Sequence, residues 1–374
     1  MKPSDYGMPR KFRVFRAHQE RWVWDVELAD KGYTVQIAPT GVGKSLIYVA
    51  GATKRGGRTV VLTSTKGLQD QLMRDFAEIG MVEIRGKDNY RCVRGDGPSA
   101  GHGLCRFGIP CDLKEGGCHY YDALRRANAS PLVVTNYAYW LASRGALAQP
   151  DNLVLDEAHD APNHLFSYGE VQFNQGMLGR LSKLVDRDVS FKELLDKRQA
   201  HILLSIVNRA LRAESRKDSR DIRLIEKLGT TSLTLSKLIF VLRYDHGYES
   251  SQYGFKVGVK DMRGLAPTLF RGCPFVLLTS ATVNAYTARL LGVDKVSQVL
   301  SYPSPFPVAN RPVYSLKSLK VSRRNGKEDL QFWSFLIDQI VRGRLDRKGI
   351  VHTVSYRRQE KYQKYTELGD LVQV

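Results

Sequence analysis

The chain has 374 residues, 43% of them hydrophobic and 25% charged, which excludes a disordered polymer and suggests two or three domains of ordinary size. No uncharged apolar run approaches the roughly 18 residues of a membrane helix, and Met1–Tyr6 lacks the apolar core of a signal peptide. A cytoplasmic protein with no membrane partner is expected. The formal net charge of +19 favours a polyanion, most simply DNA or RNA, as partner.

In chain order, residues 11–30 hold Gln19 just ahead of Trp22, Trp24 and Val26, and a helix is predicted there. The amide of Gln19 offers a donor and acceptors that could read an adenine edge. An apolar strand, Tyr33–Ile37, then leads into Ala38-Pro39-Thr40-Gly41-Val42-Gly43-Lys44-Ser45, and Leu46–Ala50 can continue as a helix. Strand, glycine-bearing turn and helix is the setting of a phosphate-binding loop. Thr40, Gly41, Val42 and Gly43 can wrap phosphate oxygens with backbone N–H groups at a helix N-terminus. Lys44 can reach the β- and γ-phosphates of ATP, and Ser45 can place its hydroxyl on Mg²⁺. Ala38 replaces the usual first glycine.

A second strand, Arg58–Lys66, ends in Ser64, Thr65 and Lys66, and Leu68, Gln69, Gln71 and Leu72 follow at helical spacing. Repeated strand–loop–helix units predict a parallel α/β sheet with chemistry at the strand C-termini. Ser64, Thr65 and Lys66 could contact a nucleic-acid backbone, and helix capping explains them equally well.

From Gly86 to Cys118 apolar periodicity vanishes and glycines cluster. A loop this long needs something other than a hydrophobic core to hold it. Cys92, Cys105, Cys111 and Cys118, spaced C-x12-C-x5-C-x6-C, can supply it as ligands of Zn²⁺ or of an iron–sulfur cluster. The absence of tight cysteine pairs tilts the reading toward a cluster. Tyr90 and Arg91 are candidates for stacking on bases and pairing with phosphates. Cys273 stands apart and reads as a small buried hydrophobe.

Pro131–Tyr137 is the next strand, and Asn152–Asp156 delivers Asp156-Glu157-Ala158-His159 at its end. Asp156 can hold Mg²⁺, with His159 beside it, and Glu157 can orient and deprotonate the attacking water. Leucines at spacings of three and four over residues 165–250 predict a helical block. The sheet resumes at Phe275–Thr282, where Ser280 and Thr282 could link the nucleotide site to a moving neighbour. Ser304-Pro305-Phe306-Pro307 reads as a hinge, followed by the stretch Asn310-Arg311-Pro312, a helix at Leu330–Ile340, basic Arg342, Arg344, Arg347 and Lys348, and a strand at Gly349–Tyr356.

In this order the motifs resemble the iron–sulfur superfamily 2 DNA helicases of the XPD/DinG type. The resemblance rests on Ala38–Ser45, Ser64–Lys66, the four cysteines, Asp156–His159 and Ser280–Thr282. It implies a RecA-like P-loop sheet with an iron–sulfur insertion and a helical, Arch-like insertion, followed by the start of a second RecA-like domain. The corresponding boundaries are residues 1–84, 121–164 and 251–303 for the first motor domain, 85–120 for the cluster domain, 165–250 for the helical insertion and 304–374 for the second domain. It further implies a [4Fe–4S] cluster on Cys92, Cys105, Cys111 and Cys118, and ATP-driven 5′→3′ movement on single-stranded or forked DNA in repair or replication. The arginine-bearing motifs V and VI of that family find no counterpart here. A fragment, a split gene or a second polypeptide completing the motor is therefore expected, as is an alternative in which the chain binds nucleic acid with ATP-switched affinity and little turnover.

Overall fold

The computed structural model describes residues 1–95, 97–143, 145–251, 254–310, 313, 315, 326–346, 348–353 and 355–369. It divides into two units, Met1–Pro305 and Phe306–Val374, so the division falls inside the predicted hinge. Arg311, Pro312, Arg347 and Val354, named above, lie outside the described residues.

The first unit opens with α1 (Gln19–Glu27), β1 (Gly32–Ile37), α2 (Lys44–Arg55), β2 (Thr59–Thr63), α3 (Lys66–Phe76) and β3 (Val82–Glu83). After the cysteine loop come α4 (His119–Ala129), β4 (Leu132–Asn136), α5 (Tyr137–Ala142), β5 (Asn152–Asp156), α6 (Ala161–Tyr168), β6 (Glu170–Asn174), α7 (Gln175–Val185), α8 (Phe191–Leu195), α9 (Lys197–Ser215) and α10 (Ile222–Val241). The unit closes with β7 (His246–Ser251), β8 (Gly254–Val259), α11 (Ala266–Phe270), β9 (Phe275–Ser280), α12 (Ala285–Leu290) and β10 (Gln298–Ser301).

Seven strands form one parallel sheet in the order β10-β1-β9-β5-β2-β4-β3. Strands β2, β5 and β9 are buried along their whole length, as parallel strands covered on both faces must be. Their side chains alternate between two cores. Val60, Leu62, Leu153, Leu155, Val276 and Leu278 point to one face, and Val61, Val154, Phe275 and Leu277 to the other. The five predicted strands of this unit are all present.

The helical block is not all helical. Strand β6 pairs antiparallel with β8, and β8 with β7, in a three-stranded sheet beside α7–α10. Its middle strand, Gly254–Val259, lies beyond residue 250, so the insertion runs past the boundary expected from leucine spacing. The leucine rows on α9 and α10 masked these strands, and β7 is mostly exposed with few apolar residues to signal it. Cys273 is half-buried against the core, and burial pushes its thiol up to about 11.

The second unit contains α13 (Lys327–Arg342) and α14 (Tyr356–Tyr365). The buried Asp338 carboxylate accepts from Tyr362 Oη at 3.1 Å, Thr366 Oγ1 at 2.7 Å and the Glu367 amide at 2.8 Å, which satisfies a charge that would otherwise be costly. The strand expected at Gly349–Tyr356 is not formed in its described residues; Ser355 caps α14 instead, its hydroxyl accepting from the Arg358 amide. A strand needs a neighbour for its backbone N–H and C=O groups, and no other strand exists among the described residues of this unit.

Candidate active site

The strand order builds the site. β9 lies between β1 and β5, so the loops leaving all three strands meet at one end of the sheet. Register fixes the match: Ile37 stands opposite Ser280, and Asp156 opposite Thr279. The Ala38 amide donates to the Ser280 carbonyl at 3.1 Å, tying the glycine loop to β9.

Within the loop, Gly41 and Gly43 take φ of 84° and 79°, a left-handed conformation that glycine adopts without strain. A Cβ on Gly43 would stand 2.5 Å from Gln19 Nε2. Gln19 is buried, and its amide is already committed: Nε2 donates to the Val42 carbonyl at 2.5 Å, and Oε1 accepts from the Arg16 amide at 2.7 Å. Gln19 is thus a brace under the phosphate loop, using one of its two N–H donors and one of its oxygen's two lone pairs. Arg16 adds a second brace through Nη1 to the Gly41 carbonyl at 2.6 Å. Thr40 and Gly41 are exposed at the mouth, and Val42 is buried beneath it.

Lys44, the first residue of α2, pairs with Glu157 Oε1 at 3.1 Å. Asp156 is 5% exposed and its carboxyl is pushed up to about 6, by burial first and then by the Glu157 charge, against the opposing pull of Lys44. Asp156 Oδ1 accepts from the Glu157 amide at 3.0 Å, and Oδ2 from Tyr48 Oη at 3.2 Å. Tyr137 Oη donates to the Asp156 carbonyl at 3.0 Å, and its ring stacks on His164. Glu157 itself sits at φ 50°, a strained setting for a non-glycine residue that turns its carboxylate back over the strand ends.

Ser280 completes the cluster. Its hydroxyl lies 3.1 Å from Glu157 Oε2 and 2.7 Å from His159 Nδ1, and its oxygen accepts from the Thr282 amide at 3.2 Å. His159 Nδ1 is also 3.3 Å from Glu157 Oε2. Gln19, the loop, Asp156, Glu157, His159, Ser280 and Thr282 are thus one constellation. Sequence reasoning missed Tyr48, Tyr137 and Arg16. Tyr48 was legible only as lying one helical turn beyond Lys44 on the same face.

The candidates on β2 divide. Ser64 is part-buried near Asp160, whose carboxyl is held below the usual range by Asn163 and, to a lesser degree, by Ser64. Thr65 is the N-cap of α3, its hydroxyl accepting from the Leu68 amide at 3.2 Å. Lys66 is exposed. The capping explanation thus accounts for Thr65 and leaves Lys66 open to solvent.

The cysteine loop lies away from this cluster. Tyr90 Oη accepts from the Arg85 amide at 3.1 Å and its ring meets Tyr120 edge-on, so Tyr90 is half-buried, while Arg91 is exposed. Two of the thiols lie near Gly103, Cys92 Sγ at 3.4 Å and Cys105 Sγ at 3.7 Å from where its Cβ would stand. Burial raises the Cys105 thiol; Lys87 opposes this, and Cys111, Cys118 and Cys92 add to it, so all four thiols share one electrostatic neighbourhood. Among the described residues, no three or more His, Cys, Asp or Glu side chains are gathered closely enough to hold a metal ion. No helix among them is long and apolar enough to cross a membrane.

Residues 17–174 match the family model described as DEAD/DEAH box helicase. The chain carries a DEAD/DEAH box helicase domain. It is an ATP-hydrolysing helicase, and the domain implies ATP, Mg²⁺ and a nucleic-acid partner. Three solved structures share its fold. One titled an XPD helicase has 13% identity and TM-score 0.53, covering 94% of this chain and 74% of that one. An apo XPD has 13% identity and TM-score 0.54, with 94% and 72% covered. The Xpd4 of S. tokodaii has 12% identity and TM-score 0.55, with 94% and 74% covered. No curated protein matches at the level of sequence. At such identities the likeness is one of fold, and the fold is that of the XPD helicases.

Proposed function

We propose that this helicase is an iron–sulfur DNA motor that couples ATP hydrolysis to 5′→3′ movement on single-stranded DNA and opens forked duplexes in repair or replication. The observation that carries the reading is the combination, in one chain, of the helicase site with four cysteine thiols around Cys105 in a loop between β3 and α4. Four thiolates suit either zinc or a cluster by donor chemistry. The absence of tight C-x2-4-C pairs in the sequence favours the larger cluster over a single tetrahedral zinc. Lys87 adds a positive charge that favours the thiolate at Cys105. When bound, a cluster would staple a loop that has little apolar core of its own, and no step of ATP hydrolysis is assigned to it.

In the ATP site, Ser45 and Asp156 are the groups that would hold Mg²⁺, which would supply positive charge to offset that of the phosphates. This is consistent with a site built from one carboxylate and one hydroxyl plus substrate phosphates, which need not gather three protein side chains. Lys44 swings from Glu157 to the phosphates, and Glu157 is then free to orient the attacking water and take its proton. His159 and Ser280 hold Glu157, and Thr282, bonded to Ser280, can pass its state on beyond β9. The excess of positive charge supports a DNA partner, with Lys66 and Arg91 as exposed contacts.

The experiment is anaerobic purification followed by iron and sulfide analysis, with ATPase and strand-displacement assays on 5′- and 3′-tailed forks. Brown protein with about four iron per chain is expected. DNA-stimulated turnover should fall about 10²–10⁴-fold in Glu157→Gln, with nucleotide still bound, and should vanish in Lys44→Ala. A colourless zinc protein refutes the cluster. Unwinding of 3′-tailed forks alone refutes the direction, and tight DNA binding without turnover favours ATP-switched binding over a motor.

A further inference from the structure

Tyr48 is fully buried on α2, three residues beyond Ser45. Its hydroxyl donates to Asp156 Oδ2 at 3.2 Å. Tyr48 therefore reaches from α2, the helix that opens with Lys44 and Ser45, to the carboxylate at the end of β5. The Asp156 carboxylate has about four lone-pair positions; the Glu157 amide and Tyr48 Oη occupy one on each oxygen, which stops its rotation and leaves acceptor capacity on both.

We propose that Tyr48 is a positioning residue for the divalent cation that accompanies ATP, holding the Asp156 carboxylate in its orientation through the phenol hydroxyl. The proposal rests on Asp156 being a metal-facing group. Outer partners of this kind fix ligand orientation, and their loss typically weakens metal binding. Tyr137 is the natural comparator. It is equally buried and bonds to the same residue, but through the Asp156 carbonyl and not the carboxylate.

The test is a Mg²⁺ titration of the intact chain with a fluorescent ATP analogue, in wild type, Tyr48→Phe and Tyr137→Phe, with nucleotide affinity also measured in EDTA. Tyr48→Phe should raise the Mg²⁺ concentration for half-saturation roughly tenfold, the scale of one hydrogen bond to a charged group. Its EDTA affinity should stay within about twofold of wild type, and Tyr137→Phe should shift the Mg²⁺ midpoint by less than about threefold. An unchanged Mg²⁺ midpoint in Tyr48→Phe overturns the proposal, as does an equal shift in both variants, which would mark the loss of any buried hydroxyl. If the wild-type protein binds the analogue with no Mg²⁺ dependence, the assignment of Asp156 fails and the proposal falls with it.

Discussion

Asp156 shows at the scale of one residue how a site built for a cation costs stability without it. Its carboxyl, pushed up to about 6 from the usual 3.8, binds a proton more tightly in the folded chain than in the unfolded one. Below the unfolded value both states are protonated and the folded state keeps its full advantage. As pH rises through about 6 that advantage is lost, at a cost of about 3 kcal/mol. Asp156→Asn removes the charge and keeps the shape. In EDTA and without nucleotide, the variant should therefore melt several degrees above wild type at pH 8 and close to it at pH 4. Melting curves at the two pH values decide the matter, and equal midpoints at pH 8 would sink the idea. The acidic pair was legible in sequence because an apolar strand ended in Asp156-Glu157. What surrounds it was not: Tyr48 and Tyr137 come from two other elements, and only the fold brings them to the carboxylate.

At the scale of elements, the cysteine loop is held to the helical block by a contact that needs a glycine. The Phe107 ring lies on Gly229 of α10, where an added Cβ would stand 2.2 Å from a ring atom. Leu104, buried at 1% exposure, anchors the same turn. Gly229→Val should lift this turn off α10 at a cost of about 1–3 kcal/mol, the usual penalty of overpacking. Phe107→Ala should lose packing of its own, yet the double variant should be less destabilised than the sum of the two, because the clash is gone. Denaturant titration of the three variants measures the coupling, and strict additivity would mean that the two residues do not meet. Nothing in the sequence announced this contact, since Gly229 lies inside a helix and Phe107 in a loop over a hundred positions earlier. The strands that sequence did reveal, such as Thr59–Thr63 and Asn152–Asp156, are the ones buried on both faces, where an unbroken apolar run is the only tolerable pattern. β3, with two residues, and β10, with four, are too short to carry a pattern.

At the scale of the whole molecule, charge gives the sharpest test of the nucleic-acid partner. The 57 Lys and Arg exceed the 38 Asp and Glu by 19, and the ATP site absorbs little of that excess because Lys44 is balanced by Glu157. A helicase that tracks a backbone places such charges on phosphates and releases counterions when it binds. With about five phosphates neutralised on a single strand, log K against log salt should slope at about −3.5, so affinity should fall roughly a hundredfold between 50 and 200 mM salt. Lys66 is exposed at the start of α3, and no ion pair among the described residues engages it. Lys66→Ala should flatten the slope by about 0.7 while leaving its independence of base sequence intact. Lys44→Ala, which acts on nucleotide, should leave the slope as it is when ATP is absent. Fluorescence anisotropy with oligonucleotides of two compositions over a salt series gives all three slopes. A wild-type slope near zero would mean that the excess charge serves something other than a phosphate backbone, and a strong preference for one composition would mean that bases are read as well.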